Sequence, residues 1–134
     1  MIEKGFLDAL LEEYKEFIPV NIPLVHRRTA VLIAFRFAIP KEEFPEICQL
    51  LMESSAEKIY KKYQFYISRP FRDALIYILQ NQSLPVAEAI FGLKDAKQQT
   101  IKRIRSTKQD KRFMDQQHKR LEMIEKNLVV LQNI

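Results

Sequence analysis

The side chains of this sequence that could do chemistry are concentrated in one basic segment, residues 97–120 (KQQTIKRIRSTKQDKRFMDQQHKR). Nine Lys or Arg occur there with two Asp, a net charge of +7, whereas the whole chain carries +5 and the other 110 residues sum to −2. A stripe of cations on a helix matches the phosphates of a nucleic-acid backbone and gains from counterion release. The candidate phosphate-binding residues are Lys97, Lys102, Arg103, Arg105, Lys108, Lys111, Arg112 and Lys119.

The same charge has two other interpretations, and the sequence leaves them open. Lys and Arg are good helix formers, so the stripe could be a solvated helix face and nothing more. It could also contact an acidic protein surface, which would make the chain a helical adaptor or assembly subunit. Because acids hardly interrupt the segment, we favour a nucleic acid as the partner, and DNA over RNA.

Residues 70–105 fall within the outline of three short helices over residues 69–106, RPFRDALIYILQNQ, SLPVAEAIFG and LKDAKQQTIKRIRS. This outline resembles a degenerate helix-turn-helix, in which the last helix would enter the major groove. It requires Gly92 to end the second helix in the left-handed conformation and Asp95 to cap the third. Gly92 and Ile101 are nine positions apart, about three more than a tight helix-turn-helix allows.

A second motif, Arg112-Phe-Met-Asp-Gln-Gln-His118, joins an Arg and a His through five residues. It resembles the motif of the HEPN ribonucleases, and that resemblance implies an Arg and a His in a cleft between two protomers that cleaves RNA without metal. The chain departs from the family at Phe113, where the motif usually has a polar residue. We therefore expect a non-enzymatic protein and keep this ribonuclease as the minor alternative.

A third stretch, YKKYQFY at residues 60–66, interleaves aromatic side chains with Lys61 and Lys62. Single-strand binders use such a pattern to stack bases. On a helix, however, Tyr63 and Tyr66 fit a core position better, with their hydroxyl groups reaching water.

Other kinds of site are excluded by composition. Two glycines, Gly5 and Gly92, cannot build a glycine-rich phosphate loop, and the lone Cys48 cannot build a disulfide framework. Neither His26 nor His118 has a second His or Cys at metal-ligand spacing, so we expect no metal and no cofactor.

The sequence also predicts where the protein resides. Its acidic, amphipathic first residues (MIEKGFLDALLEEYKEF) are unlike a targeting peptide. Its longest apolar run, TAVLIAFRFAI, has only 11 residues and contains Arg36, too short and too charged to span a bilayer. We therefore expect a cytoplasmic protein with no membrane partner.

Helices must position all of these residues, because helical periodicity dominates the chain. It predicts an all-α fold, a single compact domain of six or seven helices over residues 1–134. The stretch HRRTAVLIAFRFAIP contains β-branched residues but has helical spacing, so we expect a buried helix that ends at Pro40. One longer helix is predicted over residues 44–66.

The last predicted element is a long amphipathic helix over about residues 107–132. Ile101 and Ile104 are out of phase with the apolar residues that follow, so a break is expected between them and Phe113. Residues 106–109 (STKQ) read as a capping box there. The apolar face packs either on the chain's own core or, as a short coiled coil, on a second copy in a homodimer. The candidate dimer-interface residues are Phe113, Met114, Leu121, Ile124, Leu128 and Leu131.

Overall fold

Helices account for all of the regular structure in the described residues. The computed structural model describes residues 4–18, 21–53, 55–106 and 110–133, which form seven α-helices and three short 3-10 helices and contain no strand. The α-helices are α1 (Lys4–Tyr14), α2 (Leu24–Phe37), α3 (Phe44–Met52), α4 (Ala56–Lys62), α5 (Arg72–Asn81), α6 (Val86–Ser106) and α7 (Lys111–Gln132). The predicted all-α, compact multi-helix domain is confirmed, as is its long C-terminal helix.

Helix α2 is the centre of the fold. Residues 29–37 of α2 are all buried, and the helix contacts α1, α3, α5 and α6. A helix segment that neighbours cover on every side is apolar on every face, and residues 29–37 are apolar except for Thr29 and Arg36, which explains the ambiguous sequence. It ends at Phe37, and its C-cap Ala38 adopts the left-handed conformation (φ 50°, ψ 49°) two residues before Pro40. The prediction of a buried helix is confirmed for residues 29–37, but the helix ends three residues before the predicted end at Pro40.

The prediction of one helix over residues 44–66 is wrong, because two helices occupy this stretch. Helix α3 ends at Met52, and α4 begins at Ala56. Ser55 starts α4 as its N-cap, where the hydroxyl oxygen accepts a hydrogen bond from the backbone N–H of Lys58 at 3.2 Å. A serine that can satisfy a free N–H in this way favours a new helix start over continuation.

The helix-turn-helix outline of residues 70–105 is also wrong. Helix α6 runs without a turn through Gly92, which is buried and does not have a positive φ. Asp95 is likewise no cap, since it lies inside α6 and its carboxylate accepts a hydrogen bond from Gln99 at 2.7 Å. The physical reason for the glycine is long-range: a Cβ at this position would overlap the guanidinium of Arg36.

The predicted break before the last helix is confirmed. Helix α6 ends at Ser106, and α7 begins at Lys111 after the N-cap Asp110, whose carboxylate accepts from the N–H of Arg112 at 3.2 Å. The predicted start near Thr107 and most of the predicted capping box lie outside the described residues. Helices α6 and α7 pack against each other as an antiparallel hairpin, since Lys97 lies near Glu125 and Thr100 near Arg120.

Candidate nucleic-acid interface

The distal end of the α6–α7 hairpin extends beyond the core. We call residues 101–116 the hairpin tip. No residue in the described part of the tip is buried, whereas Thr100 on α6 and Gln117 on α7, which flank it, both are. The tip therefore presents two helix ends to solvent.

Most of the predicted phosphate-binding residues lie on this tip. It holds six Lys or Arg and two Asp, a net charge of +4. Lys102, Arg105, Lys111 and Arg112 are exposed, and none of these four forms an ion pair with any described residue. Lys108 lies outside the described residues.

The other predicted residues are placed differently. Lys97 lies one turn below the tip, with its ammonium 3.9 Å from the carboxylate of Glu125. The guanidinium of Arg103 lies over the ring of Phe65 at 4.1 Å, and its Nη2 donates to the Phe65 carbonyl at 3.5 Å. Burial lowers the pKa of Arg103, and the neighbouring Tyr66 partly opposes this. Arg103 therefore ties the tip to the turn after α4 and is not an open cation.

Lys119 is exposed at the rim of a cleft at the base of the tip. The cleft has a volume of about 680 Å³ and lies between α7, the segment after α2 and the turn after α4. Its lining residues are Phe17, Ala38, Pro40, Lys41, Glu42, Glu43, Phe65, Tyr66, Gln116, Gln117, Lys119, Arg120, Glu122, Met123 and Lys126.

Arg120, which the sequence analysis did not single out, holds α7 to the end of α2 and to α6 beside this cleft. Its Nε and Nη2 donate to the carbonyls of Ala38 (3.3 Å) and Phe37 (3.0 Å), and its Nη1 donates to the hydroxyl of Thr100 (3.2 Å). These carbonyls lie at the C-terminal end of α2, where backbone acceptors lack helical partners. Burial, and secondly the charge of Arg103, lowers the pKa of Arg120 to about 10.

A signal for this role was present in the sequence. Gln117, Arg120 and Asn127 recur at the same three- and four-residue spacing as the apolar residues of α7, and all three are buried. The side-chain amide of Asn127 donates to the Phe35 carbonyl at 3.0 Å. Polar residues in phase with an apolar face therefore indicated buried polar side chains on α7, although not their partners.

The candidate dimer-interface residues divide into two groups. Ile124, Leu128 and Leu131 are buried in the core of the chain itself. The other candidates, Phe113, Met114 and Leu121, are half-buried. The first group is already covered and is not available to a second copy.

Arg112 and His118, the residues of the ribonuclease-like motif, are both exposed on α7. They are six positions apart in the sequence, which places them about 120° apart around the helix axis. Their side chains therefore diverge within one copy of the chain. Within the described ranges, no group of three or more His, Cys, Asp or Glu side chains could hold a metal ion.

Comparisons with protein-family models, with curated proteins and with solved structures found no match to this chain. None of the helices formed by the described residues is long and apolar enough to cross a membrane.

Proposed function

We propose that this chain is a non-enzymatic nucleic-acid-binding protein whose hairpin tip contacts backbone phosphates. The observation that carries the proposal is the exposure of Lys102, Arg105, Lys111 and Arg112 without an ion pair to any described residue. Exposed cations elsewhere are often paired, as Lys62 is with Glu46 at 2.7 Å. Unpaired cations on a projecting surface release counterions when they meet phosphates, which favours binding.

The continuous helix α6 affects the expected mode of binding. Without a turn at Gly92 there is no separate recognition helix, so the contacts should be to phosphates and not to base edges in the major groove. Such contacts carry little sequence information. We therefore expect affinity that depends weakly on sequence and strongly on salt, with DNA as the first probe and RNA of equal length as the comparison.

The proposal is tested with two variants of equal net charge. One changes Lys102, Arg105 and Arg112 of the tip to Glu, and the other changes Lys58, Lys61 and Lys94, exposed cations outside the tip, to Glu. Binding to a fluorescent 12-nucleotide DNA is measured by anisotropy, and circular dichroism confirms that both variants stay helical. We expect the tip variant to lose at least about tenfold in affinity, and the control variant to lose much less.

Equal affinities of the two variants would overturn the proposal, because the position of the charge would then be irrelevant. A different result would favour the adaptor function. In that case the wild type would bind no nucleic acid but would bind an acidic protein, and the tip variant would not bind that protein. The RNA probe also tests the absence of catalysis. It should stay intact in the presence of chelator, and cleavage that His118→Ala removes would establish the ribonuclease.

A further inference from the structure

The cleft at the base of the hairpin tip combines flat aromatic groups with polar side chains that can donate and accept hydrogen bonds. The rings of Phe65 and Tyr66 lie 5.2 Å apart, nearly perpendicular at 81°, and both line the cleft. Phe65 is 43% exposed, a large value for an aromatic residue. Gln116 and Gln117 contribute amide groups from α7.

The charges of the cleft nearly balance. Its four cations face three carboxylates, and one of the cations, Arg120, already donates to backbone carbonyls. The hairpin tip, by contrast, carries a net charge of +4. An isolated phosphate should therefore prefer the tip, while the cleft suits a neutral, flat group with polar edges.

One buried polar atom of the cleft lining lacks a partner among the described residues. Gln117 is only 2% exposed, and its amide oxygen makes no hydrogen bond with any described residue. A buried acceptor without a donor is costly. The terminal torsion of a glutamine side chain is soft, so this oxygen can turn toward a donor on a group that fills the cleft.

The cleft also adjoins the proposed phosphate-binding surface. Lys119 lies at its rim, and Phe65 is in contact with Arg103 of the tip. A strand whose phosphates follow the tip thus has its next nucleotide within reach of the cleft.

We infer that the cleft receives one unpaired base of a nucleic-acid strand whose phosphates lie on the hairpin tip, so that the preferred ligand is single-stranded. This inference rests on the proposed function. In a duplex the base would first have to leave both its stack and its base pair, at a greater cost than in a single strand. A base has an aromatic face for Phe65 or Tyr66 and an edge with donors for the amide of Gln117.

The test compares three 12-nucleotide DNA probes that differ in their bases. They are single-stranded oligothymidylate, a strand of equal charge in which every base is replaced by an abasic analogue, and a duplex. We expect the wild type to bind oligothymidylate about tenfold more tightly than the abasic strand. Phe65→Ala should bring the ratio of the two affinities close to one. Phe91→Ala should leave this ratio unchanged, because Phe91 is 68% exposed on α6 and does not line the cleft.

The outcomes separate the inference from the proposed function. Equal binding of oligothymidylate and the abasic strand by the wild type would overturn the inference, whatever the Phe65→Ala variant binds. If the tip variant then lost binding to both strands, the proposed function would still stand. Tighter binding of the duplex than of either single strand would also overturn the inference. Failure of the wild type to bind any probe would overturn both.

Discussion

Arg36 is a cation that is only 2% exposed, so the residues around it must supply its ion pair and its hydrogen bonds. Its Nε donates to Glu88 at 2.6 Å, and its Nη2 contacts the other oxygen of the same carboxylate. The guanidinium also lies over the rings of Phe37 (4.5 Å) and Phe71 (5.1 Å). Gly92 completes this environment, since only a residue without a Cβ lets α6 approach the guanidinium.

We therefore predict that Gly92→Ala destabilises the protein, although alanine is the better helix former. The added methyl group must displace Arg36 from its ion pair, and overpacking of this kind costs about 1–3 kcal/mol of the free energy of unfolding. Gly5→Ala is the matched control, since a Cβ there meets nothing within 4 Å. Urea unfolding should show a loss for the first variant only; equal effects of the two would refute this account of Gly92.

Cys48 provides a second prediction for a single residue. It is fully buried, and burial raises the pKa of its thiol to about 11, with nearby Arg27 opposing the shift. Because the thiolate is the reactive form, a disulfide reagent at pH 8 should modify the native protein at least about a hundredfold more slowly than the unfolded chain. In the unfolded chain the thiol of Cys48 has its ordinary, lower pKa, so it loses its proton before the buried thiol does. The free energy of unfolding should therefore fall as the pH rises from that ordinary pKa toward 11. Rapid reaction of the native protein would contradict this placement.

At the scale of elements, two substitutions in α7 test whether the apolar face of this helix packs on the core of its own chain. Leu128 is buried, whereas its neighbour Val129 is 57% exposed. We predict that Leu128→Asp lowers the free energy of unfolding by about 3 kcal/mol or more, because it removes core packing and buries a carboxylate. Val129→Asp should change it by less than about 0.5 kcal/mol.

Sedimentation of the same two variants checks the homodimer hypothesis. If Leu128 served a dimer and not the core, Leu128→Asp would give a folded monomer, with unchanged helical circular dichroism. That result would contradict the packing of α7 on its own chain described above.

The elements also show what the sequence could and could not predict. Periodicity was enough for the all-α class, for the buried helix α2 and for the break between α6 and α7, because these depend on neighbours within two turns. The roles of Gly92 and Arg120 depend on partners 56 and 82 or more positions away, Arg36 and the end of α2. A glycine in a helical pattern indicates a helix end unless that distant partner is known. The division into α3 and α4 was missed because the capping potential of Ser55 competes with continuous periodicity.

At the scale of the whole molecule, packing and charge are separated along the α6–α7 hairpin. Its lower part packs on α2 and holds the buried polar contacts of Arg120 and Asn127. The tip carries a net charge of +4 out of +5 for the whole chain. Such a separation creates a directional positive field that attracts polyanions and weakens as salt is added.

The most direct test of the central claim is the salt dependence of binding to a single-stranded 12-nucleotide DNA. Binding is measured by anisotropy at salt concentrations from about 50 to about 200 mM. With four exposed tip cations in contact with phosphates, the logarithm of the association constant should fall with the logarithm of salt concentration at a slope of about −3. Changing Lys102, Arg105 and Arg112 to Glu should bring the slope close to zero. A wild type whose binding is insensitive to salt, or a tip variant with the wild-type slope, would contradict the proposal that the hairpin tip binds phosphates.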